Sequence, residues 1–208
     1  ETHFVTVGES YIVLMEKYVK PLYQEGDILS MSEKVIAICQ KRVVTEEELK
    51  PGFWAKLLSR FVHQTSAGPG MGLPIKMQFA INVCGLPKIL WAAFRAAIDK
   101  LRGVHGTFYR IAGLEVSGLD GFYGEDIPEY EHMGVRIPEN PAGVCDEIFQ
   151  KTGIVSMIVD ANDLNVEMLG HCSQLKESDE QLLDLIRDNP AGQDRQLTPF
   201  VLIRPVEG

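Results

Sequence analysis

Apolar residues repeat with two different periods along the chain, and their order predicts a mixed architecture. Helical spacing covers residues 11–19, 53–62 and 74–102, with a break in the last at Gly85-Leu86-Pro87. Strand-like alternation or short apolar runs cover residues 3–7, 105–111, 154–159 and 200–203. The apolar run at 35–39 fits either a buried strand or a buried helix. Because helices and strands do not alternate strictly, we predict an α+β fold.

Three polar signals predict where helices begin. Thr45 and Glu48 have the spacing of a capping box, and Ser178 with Gln181 repeats that spacing before a helix through Arg187. Asn140-Pro141 combines a capping residue with a first-turn proline, which favours a helix to about Lys151.

Composition and charge narrow the function classes. The 208 residues carry a net charge of −9, with 45% hydrophobic and 24% charged residues. Such values are typical of globular proteins and exclude coiled coils and disordered chains. An acidic chain is a poor partner for nucleic acid or for an anionic membrane, so we predict neither. The apolar stretch 77–94 contains Asn82, Pro87 and Lys88, which favours a buried or interface segment over a membrane span.

The cysteines indicate a reduced compartment. Cys39, Cys84, Cys145 and Cys172 form no CxxC pair, and no histidine stands at zinc-site spacing beside them. We expect buried apolar thiols in a cytoplasmic protein rather than a disulfide framework.

The first candidate for chemistry is Asp160, which follows the apolar run 154–159. A carboxylate at the end of a buried strand stands on a rigid platform beside a loop, and Asn162 and Asp163 add oxygen donors. Oxygen ligands suit Mg²⁺ or Mn²⁺ better than zinc. The alternative is an Asx turn that closes the strand.

Two further segments carry weaker signals. Asp120 lies in Ser117-Gly118-Leu119-Asp120-Gly121, where the glycines either let a ligand approach the backbone or form a tight turn. Ser32-Glu33-Lys34 supplies a hydroxyl and a cation at a chain reversal, which fits a phosphate contact or an exposed turn. The glycine-rich stretch 64–74 matches no P-loop or dinucleotide fingerprint.

Together these segments resemble the coenzyme F420-0:L-glutamate ligases (F420 γ-glutamyl ligases) over nearly the whole chain. The matching motifs are Gly8-Glu9-Ser10, Gly26-Asp27-Ile28-Leu29 with Ser32-Glu33-Lys34 and Lys41-Arg42-Val43-Val44, residues 112–120, residues 138–160, and Ala191-Gly192-Gln193 followed by residues 199–204. Each motif is modestly specific, and their order and spacing carry the resemblance.

The resemblance implies a ligase of one domain, 1–208, with an α+β fold and an intertwined homodimer. The implied reaction joins L-glutamate to a carboxylate of an acid-bearing cofactor, uses GTP, and passes through an acyl phosphate. Two divalent metals, Mg²⁺ or Mn²⁺, would lie on the phosphates. By position, Asp120, Asp160 and Gln193 match the metal-contacting residues. The positions that match nucleotide contacts are Gly8, Ser10, Ser32, Glu33, Lys34 and again Gln193, and no residue is assigned as catalytic.

Some positions depart from the family pattern and keep alternatives open. Ile38 replaces a lysine and Ala161 replaces a threonine. These changes favour a non-catalytic nucleotide- or anion-binding protein on the same fold, whereas the three retained polar residues favour the ligase. The same chemistry on a folate-type acceptor is a second alternative. The region 64–91 is an insertion that we interpret either as a lid and dimer interface or as a buried helix pair.

Overall fold

The computed structural model describes residues 1–62, 70–122, 132–161, 166–187 and 197–205. The helices are α1 (Tyr11–Leu14, continued by the π-helical turn Met15–Val19), α2 (Glu33–Cys39), α3 (Phe53–Ser59), α4 (Pro74–Cys84), α5 (Leu86–Leu101), α6 (Thr107–Ala112), α7 (Leu114–Ser117), α8 (Pro141–Thr152) and α9 (Asp179–Asp184). The strands are β1 (Ile28–Ser32), β2 (Val43–Thr45), β3 (Asp120–Gly121), β4 (Met133–Val135), β5 (Ser156–Ala161), β6 (Val166–His171) and β7 (Phe200–Ile203). The predicted α+β class is confirmed.

The chain divides into two compact units. Unit 1 consists of Glu1–Arg42 with Pro138–Gly208, and unit 2 consists of Val43–Ile137. The expectation of a single ligase-like domain over 1–208 stays a prediction. Each unit contains its own sheet, so each is described separately.

Unit 1 is built on a sheet with strand order β6-β5-β1-β7. The central strands β1 and β5 run parallel, and β7 and β6 pair antiparallel with them on the outside. Met157 and Val159 of β5 face α9, where they pack with Leu182 and Ile186. Helix α8 packs on β5 and β6. The buried strand β5 appears in the sequence as a short apolar run, whereas β1 is interrupted by Ser30, which is also buried.

An ion pair between a buried carboxylate and a half-exposed arginine lies where β1 begins. Arg204, which follows β7, donates from Nε to Asp27 Oδ1 at 2.8 Å and from Nη2 to Oδ2 at 2.7 Å. The Asp27 side chain is 1% exposed. The hydrogen bonds from Arg204 hold the pKa of the Asp27 carboxyl below its usual value. This pair therefore ties β7 to the start of β1.

Unit 2 combines the small antiparallel sheet β2-β4-β3 with helices α3 to α7. Its main core packs α3, α4, α5, α6 and α7 together through Ala55, Met77, Ile89, Ala112 and Val116. A second cluster joins α4 to the sheet through Phe79 and Phe122. The predicted break at Gly85 is confirmed, because α4 ends at Cys84 and α5 begins at Leu86.

In the described part of the chain, no single helix is long and apolar enough to cross a membrane. The pair α4 and α5 meets the length and hydropathy criterion only jointly, with a bend of 118° between the two helices.

Several predicted helices and strands agree with the structure. Asn140 caps α8 by accepting from Gly143 N, and Ser178 with Gln181 forms a complete capping box at α9. The run 35–39 is helical, as part of α2. The described thiols are free, with Cys39, Cys145 and Cys172 buried and Cys84 half-buried. Burial raises the pKa of the Cys39 and Cys145 thiols to about 12, which agrees with unreactive core thiols.

Three sequence predictions are wrong. Residues 3–7 form no strand. The segment 105–111 is helical rather than extended, because Gly106 in a left-handed conformation starts α6 and Thr107 Oγ1 donates to Asp99 on α5. Thr45 ends β2 instead of capping a helix, although Glu48 Oε2 accepts from Thr45 N at 2.9 Å and closes a turn. Tertiary pairing overrides the local signal in the last two cases.

Candidate functional site

The parallel pairing of β1 and β5 brings two predicted site segments to one edge of the unit 1 sheet. Ser32, the last residue of β1, pairs with Val159. The next residue after Ser32 is Glu33, the first residue of α2, and the next residue after Val159 is Asp160 on β5. Since ligands bind in α/β sheets beyond the carboxyl ends of parallel strands, this edge is the candidate site.

Asp160 lies directly opposite a second carboxylate. In the antiparallel β5–β6 ladder, Asp160 pairs with Glu167, so both side chains project from the same face of the sheet. Like charges directly opposite each other destabilise a sheet unless a cation or a proton separates them. The sequence does not point to Glu167, because its pairing with Asp160 depends on the β5–β6 register, which no local pattern shows. Asn162 and Asp163 lie outside the described residues.

Glu33 and Ser32 form the beginning of α2 beside Asp160. Glu33 lies in the first turn of the helix and is only 8% exposed. Ser32 is the N-cap residue, but its hydroxyl makes no capping hydrogen bond. Ser32, buried Glu33 and Asp160 therefore lie at the same end of the parallel pair, and half-buried Lys34 follows within the first turn of α2.

The other predicted nucleotide contacts lie at the opposite end of α2. Gly8 N donates to the Ile38 carbonyl at 3.0 Å, and Ser10 serves as the N-cap of α1. The seven residues of α2 separate this turn from Ser32 by roughly 10 Å. Gly8 and Ser32 thus mark the two ends of one short helix.

The side chain of Lys41 lies against the backbone at Gly8. A Cβ at Gly8, whose φ is +83°, would lie 2.6 Å from Lys41 Cε, so any side chain there would displace the lysine. Lys41 itself has a φ of +60°. Ile38, by contrast, is buried in the core at 1% exposure. The cation beside the Gly8 turn is therefore Lys41, three residues after the position where the ligase family has lysine.

A second polar constellation adjoins the same turn. Glu9 Oε2 lies 3.0 Å from His3 Nε2, and His3 Nδ1 lies 2.6 Å from the Tyr18 hydroxyl. Hydrogen bonds to Tyr18 and Glu9 raise the pKa of His3, because they favour its protonated ring. Hydrogen bonding to His3 and to Lys17 lowers the pKa of Tyr18 to about 8. The sequence contained no signal for this cluster, because its members are unevenly spaced and His3 was expected in a strand.

Asp120 belongs to unit 2 and has a clear local role. It pairs with Val135 across β3 and β4, and its Oδ1 accepts from Gly121 N at 2.9 Å. A Cβ at Gly121 would lie 2.2 Å from the Met133 carbonyl oxygen, and a Cβ at Gly118 would lie 2.3 Å from Ile137. Close packing, against backbone at Gly121 and against the Ile137 side chain at Gly118, thus accounts for both glycines.

The three predicted metal ligands are distributed over different parts of the chain. Asp160 is in unit 1, Asp120 is in unit 2, and Gln193 lies outside the described residues. Within the ranges that the structure describes, no group of three His, Cys, Asp or Glu side chains has the geometry of a metal site. The metal assignment stays a prediction.

Comparison with known proteins finds sequence similarity to an archaeal protein. No family model matches the sequence. The chain is 21% identical over 180 residues to an uncharacterized protein of Methanocaldococcus jannaschii, an alignment that covers 78% of the chain and 56% of the relative. The chain thus spans about half the length of the curated relative it matches. What these comparisons show is a distant archaeal relative without an assigned activity.

Proposed function

We propose that the chain is a nucleotide- and divalent-metal-dependent γ-glutamyl ligase that adds L-glutamate to a carboxylate of a cofactor of the coenzyme F420-0 type. The observation that supports the proposal is the placement of Ser32-Glu33 and Asp160 at the carboxyl end of the parallel pair β1–β5. The sequence resemblance assigns these segments to the nucleotide and the metal. Ligands commonly bind beyond the carboxyl ends of parallel strands, which is why this placement supports the assignment.

The proposed reaction has two chemical steps. A carboxylate oxygen of the acceptor attacks the γ-phosphorus of GTP, which forms an acyl phosphate and releases GDP. The amine of glutamate then attacks the acyl carbon, an amide bond forms, and inorganic phosphate leaves with one of the original carboxylate oxygens. The protein's task is to position the reactants and to offset the charge of the phosphates.

The donor set at the sheet edge suits a hard divalent cation. Asp160 and the facing Glu167 present carboxylate oxygens from one side of the sheet, and Mg²⁺ or Mn²⁺ prefers oxygen ligands. When bound, the cation would neutralise the polyphosphate charge. Asp120 and Gln193 remain in the proposal through the resemblance alone.

The nucleotide would extend along α2. Ser32, Glu33 and Lys34 lie at one end of this helix, and Gly8 and Ser10 lie at the other. Lys41 beside Gly8 supplies the cation that the family has at the position of Ile38. The homodimer, the cytoplasmic location and the acceptor belong to the same proposal. A folate-type acceptor would use identical chemistry.

A non-catalytic nucleotide- or anion-binding protein is the second candidate. It is favoured by Ile38, which is packed in the core and therefore offers no cation to a phosphate. Ala161 at the end of β5 likewise lacks the hydroxyl that the family has there.

Calorimetric titration of the full chain with GTP and with ATP, each with and without Mn²⁺, tests the proposal. We expect Mn²⁺-dependent binding of GTP and at least a tenfold loss of affinity in Asp160→Asn, because the carboxylate that holds the ion is removed. The matched control is Glu180→Gln, a carboxylate-to-amide change at an exposed position of α9 in the same unit. Equal binding by the parent and by Asp160→Asn would refute the site. Binding without turnover of any acid and glutamate would favour the second candidate.

A further inference from the structure

The exposed surface of α5 is apolar, which is unusual for a helix on the outside of a folded unit. Trp91, Phe94 and Leu101 are 56%, 58% and 90% exposed. With Pro87 and half-buried Ile98 they follow the helical repeat and form one line along the helix, here called the outer stripe. The opposite face of α5 contributes Ile89 and Ala92 to the interior. Helix α5 is thus apolar on two sides, and among the residues that the structure describes only one of these sides is packed.

Basic residues adjoin the outer stripe. Lys88, Arg95 and Arg102 follow one another at intervals of seven residues, which places them in a row along one flank of the stripe. Arg95 pairs with Asp99 at 3.5 Å, and Lys88 donates to the Ala112 carbonyl at 3.2 Å. These contacts hold both cations next to the stripe. Asp99 is the only acid on α5, and it is buried.

The charge around α5 is segregated from the charge of the rest of the chain. Residues 49–110 contain nine Lys or Arg and one Asp, a net charge of +8, so the remaining residues carry −17. The net charge of −9, which argues against an anionic partner, is therefore an average over two very different regions. The segment of the chain that contains the outer stripe is basic.

We propose that the outer stripe of α5 is a docking surface for an anionic lipid membrane, on which the helix lies in the plane of the interface. Tryptophan and phenylalanine beside lysine and arginine are the composition of interfacial helices. Lipid headgroups of negative charge complement the basic flank, and the acyl boundary covers Phe94, Ile98 and Leu101. This inference is independent of the proposed ligase activity.

A second copy of the chain fits the same surface less well. In an antiparallel pair of α5 helices related by a twofold axis, the basic flank of one helix would face the same flank of the other. No exposed acid on α5 would compensate for that repulsion. Nucleic acid would match the charge, and its bases would find Trp91 and Phe94 for stacking, but the aliphatic Ile98 and Leu101 offer no flat ring for that contact. The lipid surface accounts for both the charge and the aliphatic residues.

Vesicle binding by the full chain tests the proposal, with Trp91 as an internal probe. The chain has two tryptophans, so Trp54→Phe leaves Trp91 alone. We expect this protein to float with vesicles of phosphatidylcholine and phosphatidylserine but not with vesicles of phosphatidylcholine alone. Trp91 emission should shift to shorter wavelength on binding, and added salt should weaken the binding.

Two double variants separate the apolar and the basic contributions. Phe94→Ser with Leu101→Ser should weaken partitioning about a hundredfold, because two large side chains lose their burial in lipid. Lys88→Gln with Arg102→Gln should weaken it about thirtyfold. The matched control is Val13→Ser with Leu22→Ser, which removes two exposed apolar side chains from unit 1 and should leave partitioning unchanged.

Three results would overturn the proposal. One is vesicle binding that is the same without phosphatidylserine or in the outer-stripe variant. A complete lack of vesicle binding by parent protein that circular dichroism shows to be folded has the same meaning. The second is a dimer, measured by sedimentation equilibrium, that Phe94→Ser with Leu101→Ser dissociates, because the stripe would then be covered by a second copy. The third is equally strong, stripe-dependent binding of single-stranded RNA.

Discussion

Unit 1 builds its core on both faces of a buried four-stranded sheet, whereas unit 2 packs its main core between helices and exposes large aromatic side chains. The largely exposed aromatic residues of the described ranges all belong to unit 2. They are Phe53, Trp54, Phe61, Trp91 and Phe94. By sequence count, the entire net charge of −9 lies in unit 1, and unit 2 is neutral with its basic residues gathered in 49–110. The comparison shows why whole-chain composition is a poor guide to partners: it averages an acidic unit with a basic apolar surface.

The largest expected effect is on stability and contrasts the buried strand of unit 1 with the outer stripe of unit 2. Ile158→Ala on β5 removes a side chain of 0% exposure and should cost about 3 kcal/mol of unfolding free energy through the cavity it leaves. Leu101→Ala, at 90% exposure, should change that free energy by less than about 0.5 kcal/mol. Urea denaturation of both variants measures the difference. Equal destabilisation would mean that the stripe is packed in solution.

A second prediction concerns acid stability, which should depend on the Asp27–Arg204 pair of unit 1. The folded-state pKa of Asp27 is lowered, so its stabilising effect is complete above the ordinary value of 3.8 and is lost as pH falls through the lowered pKa. Asp27→Asn should therefore be less stable than the parent near neutral pH, and the gap should close in acid. Thermal denaturation from pH 7 down to pH 2 measures it. If the difference in stability between the parent and Asp27→Asn stayed constant with pH, the ionised form of Asp27 would contribute nothing to stability.

The smallest effect is a titration in the cluster beside the Gly8 turn. Tyr18 should ionise at a pH of about 8, because hydrogen bonding to His3 and Lys17 favours the phenolate. Ultraviolet difference titration of the parent should show one tyrosine ionising two pH units before ordinary ones, and His3→Gln should remove that early step. Tyr23→Phe is the matched control, since Tyr23 hydrogen-bonds elsewhere, to the Asp27 carbonyl. An early step that survives His3→Gln would contradict the assignment.

The parts of the fold that sequence predicted well are those with local, redundant signals. Residues close together in the sequence determine three such features: the α8 cap at Asn140, the capping box at Ser178 and the break at Gly85. The segment 105–111 failed because its alternation mimics a strand, while the helix depends on the left-handed Gly106 and on Thr107 bonding to distant Asp99. Such contacts have no signature in a short window.

The candidate site was predicted only in part, for a related reason. Asp160 and Ser32 stand out because each lies where an apolar run ends, and that is a local pattern. Glu167 becomes a candidate only through the β5–β6 register. Lys41 belongs to a motif that the sequence matches and is, together with Lys34, a candidate replacement for the family's lysine, and the structure adds its close approach to Gly8. The outer stripe was missed because apolar residues at helical spacing predict a helix face without telling which face is buried.

The most direct test of the proposed ligase follows an oxygen atom. The full chain is incubated with Mn²⁺, GTP, L-glutamate and a coenzyme F420-0-type acid whose acceptor carboxylate carries ¹⁸O, and the released phosphate is analysed by mass spectrometry. An acyl phosphate route predicts one ¹⁸O atom in the phosphate for each amide formed, and no labelled phosphate from Asp160→Asn. Amide formation with unlabelled phosphate, or no amide under conditions where GTP and metal bind, would contradict it.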